Sequence, residues 1–225
     1  MPHAPEPTLL VTADGSPTLR HARVDEPYHS VYGAVTESTH VFIRAGLEAR
    51  GLPDADVLEV GLGTGLNMLL TWVHCLERGR TVRYTALEPF PLEAATLERL
   101  AHCAAIAWPG LHAPFIRAMT APPGNAQVLE GGLTFTRLAA MVQTFRAEEA
   151  FDVVYFDAFA PDKQPDMWTE EVFRGMHRAL RPGGTLVTYC AKGAVRRAMQ
   201  AAGLVVERLP GPPGKREMLR AARPA

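Results

Sequence analysis

The sequence predicts an α/β protein: a doubly wound, mostly parallel sheet with helices on both faces and an antiparallel edge. Three observations carry that prediction. Short apolar runs of strand length alternate with helical periodicities along most of the 225 residues. A glycine-rich turn, Gly61 to Gly65, joins one such run to a helix. Two late apolar runs, "LVVERLP" and "REMLRAA", are separated by the turn-forming "PGPPGK" and predict an antiparallel pair.

In chain order, "TLLVTADGSPTLRH" alternates apolar and polar residues around Asp14-Gly15, the pattern of a β-hairpin. "DEPYHSVYGAVTESTHVFIRAGLEARG" begins as loop and turns helical near Glu37. Val41, Phe42, Ala45 and Leu47 supply its apolar face, and Gly51 stops it. Residues 1–52 are therefore expected to be a hairpin-and-helix extension, and 53–225 the main domain. There "DVLEVG" reads as strand, "LNMLLTWVHCLERG" as helix, "TVRYTALE" as strand and "LEAATLERLAHCAAI" as helix. Segment 107–132 is rich in Pro and Gly and is expected to be an irregular insertion. "LTFTRL" is a short strand, "AAMVQTFRAEEA" a helix and "FDVVYFDAF" a buried strand. "WTEEVFRGMHRAL" is a helix entered through Thr169, "GGTLVTYC" a strand after the turn "RPGG", and "AKGAVRRAMQAAG" a helix.

With 47% hydrophobic residues the chain can bury one substantial core. No run approaches the ~18 consecutive apolar residues of a membrane span, and "MPHAPEPTLL" lacks the basic-then-apolar pattern of a signal peptide. Cys75, Cys103 and Cys190 are odd in number and form no CxxC pair, so neither a disulfide framework nor a zinc site is expected. A reducing cytoplasm fits best. The net charge of −1 hides an asymmetry: residues 174–225 carry 11 Lys and Arg against Glu207 and Glu217, while the rest is acidic. Such an end suits an anionic partner, or its charges balance elsewhere in the fold.

"VLEVGLGTGLN" places Gly61, Gly63 and Gly65 at a strand-to-helix turn, where backbone N–H groups can approach a ligand. A dinucleotide fingerprint would need its third glycine at position 66, which is Leu66. The pattern is GxGxG with Glu59 two residues upstream, as in class I S-adenosylmethionine-dependent methyltransferases, a Rossmann-like fold. The next strand ends at Glu88, where a doubly wound fold puts the carboxylate that accepts from both ribose hydroxyls. After "LTFTRL" no acid is offered to an adenine amino group. Backbone and apolar contacts, or a residue elsewhere, must hold it.

Asp157 ends the fourth strand at the carboxyl edge of the sheet and opens the loop "DAFAPDKQPDMWT". Methyl transfer is an in-line displacement that needs alignment and no metal; an amine nucleophile also needs a base to free its lone pair. Asp157 suits that task, Phe159 can pack on a cationic centre, and Pro161 and Pro165 stiffen the loop. Lys163 either meets a phosphate or carboxylate or is a solvated loop charge. Trp168 either stacks on a base or anchors the following helix.

Five segments, "DEPYHSVYGAVTESTHVFIRAGL", "EVGLGTGLN", "DAFAPDKQPDMWT", "PGGTLVTYCAKGAVRRAMQAAG" and "KREML", together resemble the methyltransferase module of the bacterial bifunctional tRNA 5-methylaminomethyl-2-thiouridine biosynthesis proteins and its stand-alone relatives. The resemblance implies methylation of the exocyclic amine of 5-aminomethyl-(2-thio)uridine at the tRNA wobble position. It implies Glu59, Gly61, Gly63, Gly65, Asn67 and Glu88 around S-adenosylmethionine, and Asp157, Phe159 and Pro161 at the transfer site. It places the segment containing Lys215 and Arg216 near the substrate mouth, while Arg196 and Arg197 in the basic end would meet the tRNA backbone. The family's fused flavin-dependent oxidase is not expected within these 225 residues, so either the amine comes from another route, such as a separate enzyme, or the substrate differs. Leu62 stands where the family often has an aromatic residue. A methyltransferase or aminopropyltransferase of small amines, and a non-catalytic cofactor- or tRNA-binding protein, are the alternative readings.

Overall fold

The computed structural model describes residues 7–225. Its centre is an eight-stranded sheet. The strands are β4 (Asp54–Val60), β5 (Thr81–Leu87), β6 (Gln127–Val128), β7 (Leu133–Leu138), β8 (Phe151–Phe156), β9 (Leu180–Thr188), β10 (Val205–Pro210) and β11 (Glu217–Ala222). Their spatial order is β10-β11-β9-β8-β4-β5-β7-β6. β7, β5, β4, β8 and β9 run parallel; β11, with β10 beyond it, runs antiparallel against β9, and β6 runs antiparallel at the other edge. Side-chain alternation along the strands builds two cores. Val57, Val153 and Tyr155 face one side, and Leu58, Val154 and Phe156 the other. On the first side pack α2 (Leu66–Arg78), α3 (Ala94–Leu100), α4 (His102–Ala105) and α5 (His112–Thr120); on the second pack α6 (Glu170–Ala179) and α7 (Gly193–Ala201).

The expected hairpin forms as β1 (Thr8–Val11) and β2 (Pro17–His21), extended by β3 (Glu26–Pro27). Its turn residue Asp14 accepts hydrogen bonds from the Thr36 amide (2.9 Å) and hydroxyl (2.8 Å). That remote cap starts α1 (Ala34–Ser38) earlier than Glu37, and the helix continues as π-helical turns over Thr39–Glu48. Val41, Phe42 and Leu47 pack into the first core, with Phe42 against Tyr155.

Other expectations are corrected. Segment 107–132 is not irregular throughout. It holds a 3₁₀ turn at Pro109–Leu111, then α5 and β6. Pro109 and Pro114 both fall in first turns, where a missing N–H costs no helical bond. The helix expected over "LEAATLERLAHCAAI" breaks at Ala101, which has φ 48. A straight helix would turn His102 about 140° from Leu97, yet both are buried. No helix forms over "AAMVQTFRAEEA". Its packed residues Ala140, Phe145, Ala147 and Ala150, with Val142, are spaced alternately two and three apart, which no helical stripe can satisfy. "RPGG" lies inside β9 beside a register irregularity rather than forming a separate turn.

The basic end does not form one exposed cationic surface. Arg174, Arg181, Lys192, Lys215 and Arg223 pair with acids from earlier in the chain, and Arg208 and Arg220 with Glu217 and Glu207. Among the described residues Arg178, Arg196, Arg197 and Arg216 make no ion pair. All three cysteines are buried thiols. No helix among the described residues is long and apolar enough to cross a membrane.

Trp168 is 5% exposed, edge-on to Phe156 at 5.0 Å, and its indole N–H donates to the Phe159 carbonyl at 2.8 Å. It anchors α6 and the loop before it. Trp168→Ala is expected to cost about 3–5 kcal/mol in urea unfolding, and Trp168→Phe less. A loss below about 1 kcal/mol for the alanine variant would leave Trp168 a surface residue rather than an anchor.

Candidate active site

The carboxyl ends of four strands are laced together before any side chain is considered. The Gly61 amide donates to Leu87 O (3.2 Å), the Asp157 amide to Val60 O (2.9 Å) and the Glu88 amide to Leu138 O (2.9 Å). This edge is where an open parallel sheet presents ligands. Gly61 has φ 90, and a Cβ there would stand 2.6 Å from the Asp157 carbonyl oxygen. The glycine therefore lets the first loop and the Asp157 loop touch.

Above this edge lies a cavity of about 510 Å³. Gly61, Gly63, Glu88, Asp157, Phe159 and Lys215 line it. Glu59, Gly65 and Asn67 stand behind its wall rather than facing it, and Pro161, Lys163, Arg196, Arg197 and Arg216 are likewise not on its surface. Lys163 is an exposed loop residue within electrostatic reach of Asp25.

Glu88 accepts from the Gly63 amide (3.0 Å) and the Phe90 amide (2.9 Å), one on each oxygen. A carboxylate has about four lone-pair directions, so each oxygen can still accept a hydroxyl. Leu87, Pro89, Ala140, Met141 and Val142 form an apolar wall beside it. Arg137 turns away, donating to Ala121 O at 2.9 Å. A glycine loop without side chains, an acid with free acceptor capacity and an apolar wall together fit an adenosyl ligand. The Glu59 Oε2 atom, buried without a hydrogen-bond partner, is a further polar group behind this wall.

At the other end the Asn67 carboxamide donates one N–H to Glu59 Oε1 (2.9 Å) and the other to Asp157 Oδ2 (2.8 Å). Burial pushes the Glu59 carboxyl well above the usual range; the Asn67 bond opposes this and the Asp157 charge reinforces it. Burial likewise pushes Asp157 up to about 7. Glu37 adds to the rise, while Asn67 and Lys215 oppose it. Two carboxyls sharing one amide thus separate in role: Glu59 holds its proton, and Asp157 exchanges one near neutral pH.

The extension closes the cavity with residues that sequence reasoning missed. Tyr28 and His21 pack edge-on to Phe159 at 5.0 and 5.4 Å. Glu37 accepts from the Ser30 amide (2.9 Å) and from Lys215 Nζ, and that ammonium sits 3.9 Å from the Tyr189 ring centroid. The Tyr189 hydroxyl donates to Ala158 O at 2.8 Å, and the Ala160 amide to Glu26 at 3.1 Å. His29 stands between Thr18 (2.9 Å) and Thr64 of the glycine loop (3.4 Å), joining hairpin to loop. Burial pushes its imidazole down to about 3, so it is neutral. One signal was available: "DEPYHSVYG" concentrates aromatic, His and acidic residues in a loop that no core periodicity explains.

A profile of an S-adenosyl-L-methionine-dependent methyltransferase family matches residues 121–224. The tRNA 5-methylaminomethyl-2-thiouridine biosynthesis bifunctional protein MnmC of Pseudomonas fluorescens is 35% identical over 237 residues, an alignment covering 98% of this chain and 35% of that protein. Its namesake from Ralstonia nicotianae is 34% identical, covering 96% and 34%. The chain thus spans about a third of the length of these relatives. The crystal structure of MnmC2 from Aquifex aeolicus superposes with a TM-score of 0.79 at 24% identity, over 100% of this chain and 72% of that one, a likeness of fold.

The Asp157 shift carries a stability consequence. Unfolded, this carboxyl titrates near 3.8; folded, near 7. The folded state binds the extra proton between those values, so stability falls as pH rises through that window. Asp157→Asn keeps an acceptor for Asn67 and removes the titration. At pH 8 the variant is expected to be more stable by on the order of 2–4 kcal/mol in urea unfolding, with no gain below pH 4. Equal stabilities at pH 8 would contradict the assignment.

Proposed function

We propose that the chain is an S-adenosyl-L-methionine-dependent methyltransferase akin to part of the tRNA 5-methylaminomethyl-2-thiouridine biosynthesis bifunctional proteins it resembles, and that it methylates the exocyclic amine of a 5-aminomethyl-(2-thio)uridine at the tRNA wobble position. The observation that carries the proposal is the placement of Asp157. It is a half-buried acid poised near neutrality, sharing one cavity with the glycine loop and Glu88. The substrate assignment follows the named activity of the relatives.

Bound S-adenosylmethionine supplies an electrophilic methyl group on a sulfonium. The Gly61–Gly65 loop and Glu88 would hold it, the latter through the ribose hydroxyls, with Glu59 and Asn67 supporting from behind. Asp157 would bind the incoming alkylammonium and accept its proton, leaving a nitrogen lone pair free to attack. Phe159, backed by Tyr28 and His21, would orient the amine and exclude water. Pro161 then serves to stiffen the loop. Lys215, fixed by Glu37, faces the amine's end of the cavity, and its charge opposes a second proton there. Arg196, Arg197, Arg216 and Lys163 lie outside the cavity, where a phosphate backbone would run.

With labelled S-adenosylmethionine and tRNA bearing an unmethylated aminomethyl group, wild-type protein is expected to label wobble uridine. Asp157→Ala should lose at least about a hundredfold in turnover with cofactor affinity within a few-fold. Labelling of free polyamines but not tRNA would replace the proposed substrate. A parallel loss of cofactor binding would move Asp157 into the cofactor site.

A further inference from the structure

We propose that the exposed apolar rim of the cavity, chiefly Tyr32 and Phe90, is a stacking platform for the unpaired nucleotides that flank the reacting base. The inference rests on the tRNA reading above and deepens it. Val31, Tyr32, Phe90 and Met141 are 50%, 59%, 78% and 42% exposed, and all four face the mouth of the same cavity. They come from three separate segments: before α1, after β5 and after β7. Scattered exposed apolar residues need no explanation, but convergence on one opening marks a contact surface.

Two of these rings stand on fixed backbone. The Tyr32 amide donates to Ser30 Oγ at 3.2 Å, and its ring lies against Gly214. Gly214 has φ 83, and a Cβ there would come within 2.2 Å of the ring, so the glycine gives Tyr32 its seat. The Phe90 amide is bound to Glu88. Both rings are therefore presented to solvent by ordered loops, which lowers the entropy lost on contact.

The charges around the rim select the partner. Inside the mouth Glu26, Glu37, Glu88 and Asp157 stand against the single ammonium of Lys215, a net acidic lining that favours a cationic amine over phosphate. Outside it, Lys163 lies between the lining residues Ala160 and Gln164, and Arg216 follows Lys215. Both are exposed; Arg216 makes no ion pair among the described residues, and Lys163 lies within electrostatic reach of Asp25. A net acidic interior, flat apolar faces at the lip and exposed cations beyond match a single-stranded RNA loop. Its reacting amine enters, neighbouring bases lie on the rings, and phosphates stay outside.

The test uses the full chain and a synthetic anticodon stem–loop RNA with 2-aminopurine beside the wobble position. Tyr32→Ala and Phe90→Ala are each expected to weaken RNA binding about tenfold and to reduce the fluorescence change on binding. Tyr32→Phe should behave as wild type, and calorimetric affinity for S-adenosylmethionine should stay within about twofold. Unchanged RNA affinity and fluorescence in both alanine variants, with wild-type protein still binding RNA, would overturn the platform alone. A Phe90→Ala defect confined to S-adenosylmethionine affinity would overturn the part assigned to that ring. Failure of the wild-type protein to bind any tRNA or stem–loop would overturn the tRNA reading and the platform together.

Discussion

One carboxamide between a buried acid and a half-buried one is the constraint on which the site depends. Asn67 gives one N–H to Glu59 and the other to Asp157, and several features of the fold are needed to bring the three together. Glu59 must come from β4 and Asp157 from the end of β8, its parallel neighbour, in the register that sets Glu59 opposite Tyr155. Asn67 must sit in the first turn of α2, so the glycine loop has to turn the chain sharply between residues 60 and 66. Two ionised carboxylates at this depth would repel each other at high cost. Retaining the proton on Glu59 relieves that cost and leaves Asp157 as the group that titrates near neutrality.

The second half of the site comes from outside the parallel sheet. The hairpin turn caps α1 through Asp14, α1 presents Glu37, and Glu37 holds Lys215 from the β10–β11 connection over Tyr189. The extension and the antiparallel edge, remote from one another in sequence, thus meet above the cavity. His29 ties the same extension to Thr64 in the glycine loop. The extension is therefore a wall of the cavity: its position governs both the aromatic surface at Phe159 and the charges around Asp157.

Legibility in the sequence followed the range of the interactions. Strand ends and the helix after the glycine loop were readable because period-two and 3.6-residue patterns are local. Glu88 and Asp157 were readable because a doubly wound sheet puts its ligand groups at strand termini. Tyr28, Glu37 and Tyr189 were not, since their places depend on contacts between distant segments. The same cause explains the basic end. Its charges can be counted in sequence, but Arg181 is balanced by Asp56 and Asp152, and Arg223 by Glu149, acids that only the fold brings near. The missing helix after β7 fails for a local reason, an apolar spacing of two and three that a composition-based reading overlooked.

The proposed chemistry requires an Asp157 carboxyl that burial raises to near neutrality against the opposing hydrogen bond from Asn67. Carbon-detected NMR titration of the side-chain carboxyl, assigned by its loss in Asp157→Asn, tests this directly. The expected midpoint is about 7, with an upward shift in Asn67→Ala, where a hydrogen bond to the ionised form is gone. A midpoint in the ordinary carboxylate range, unmoved by loss of Asn67, would contradict it.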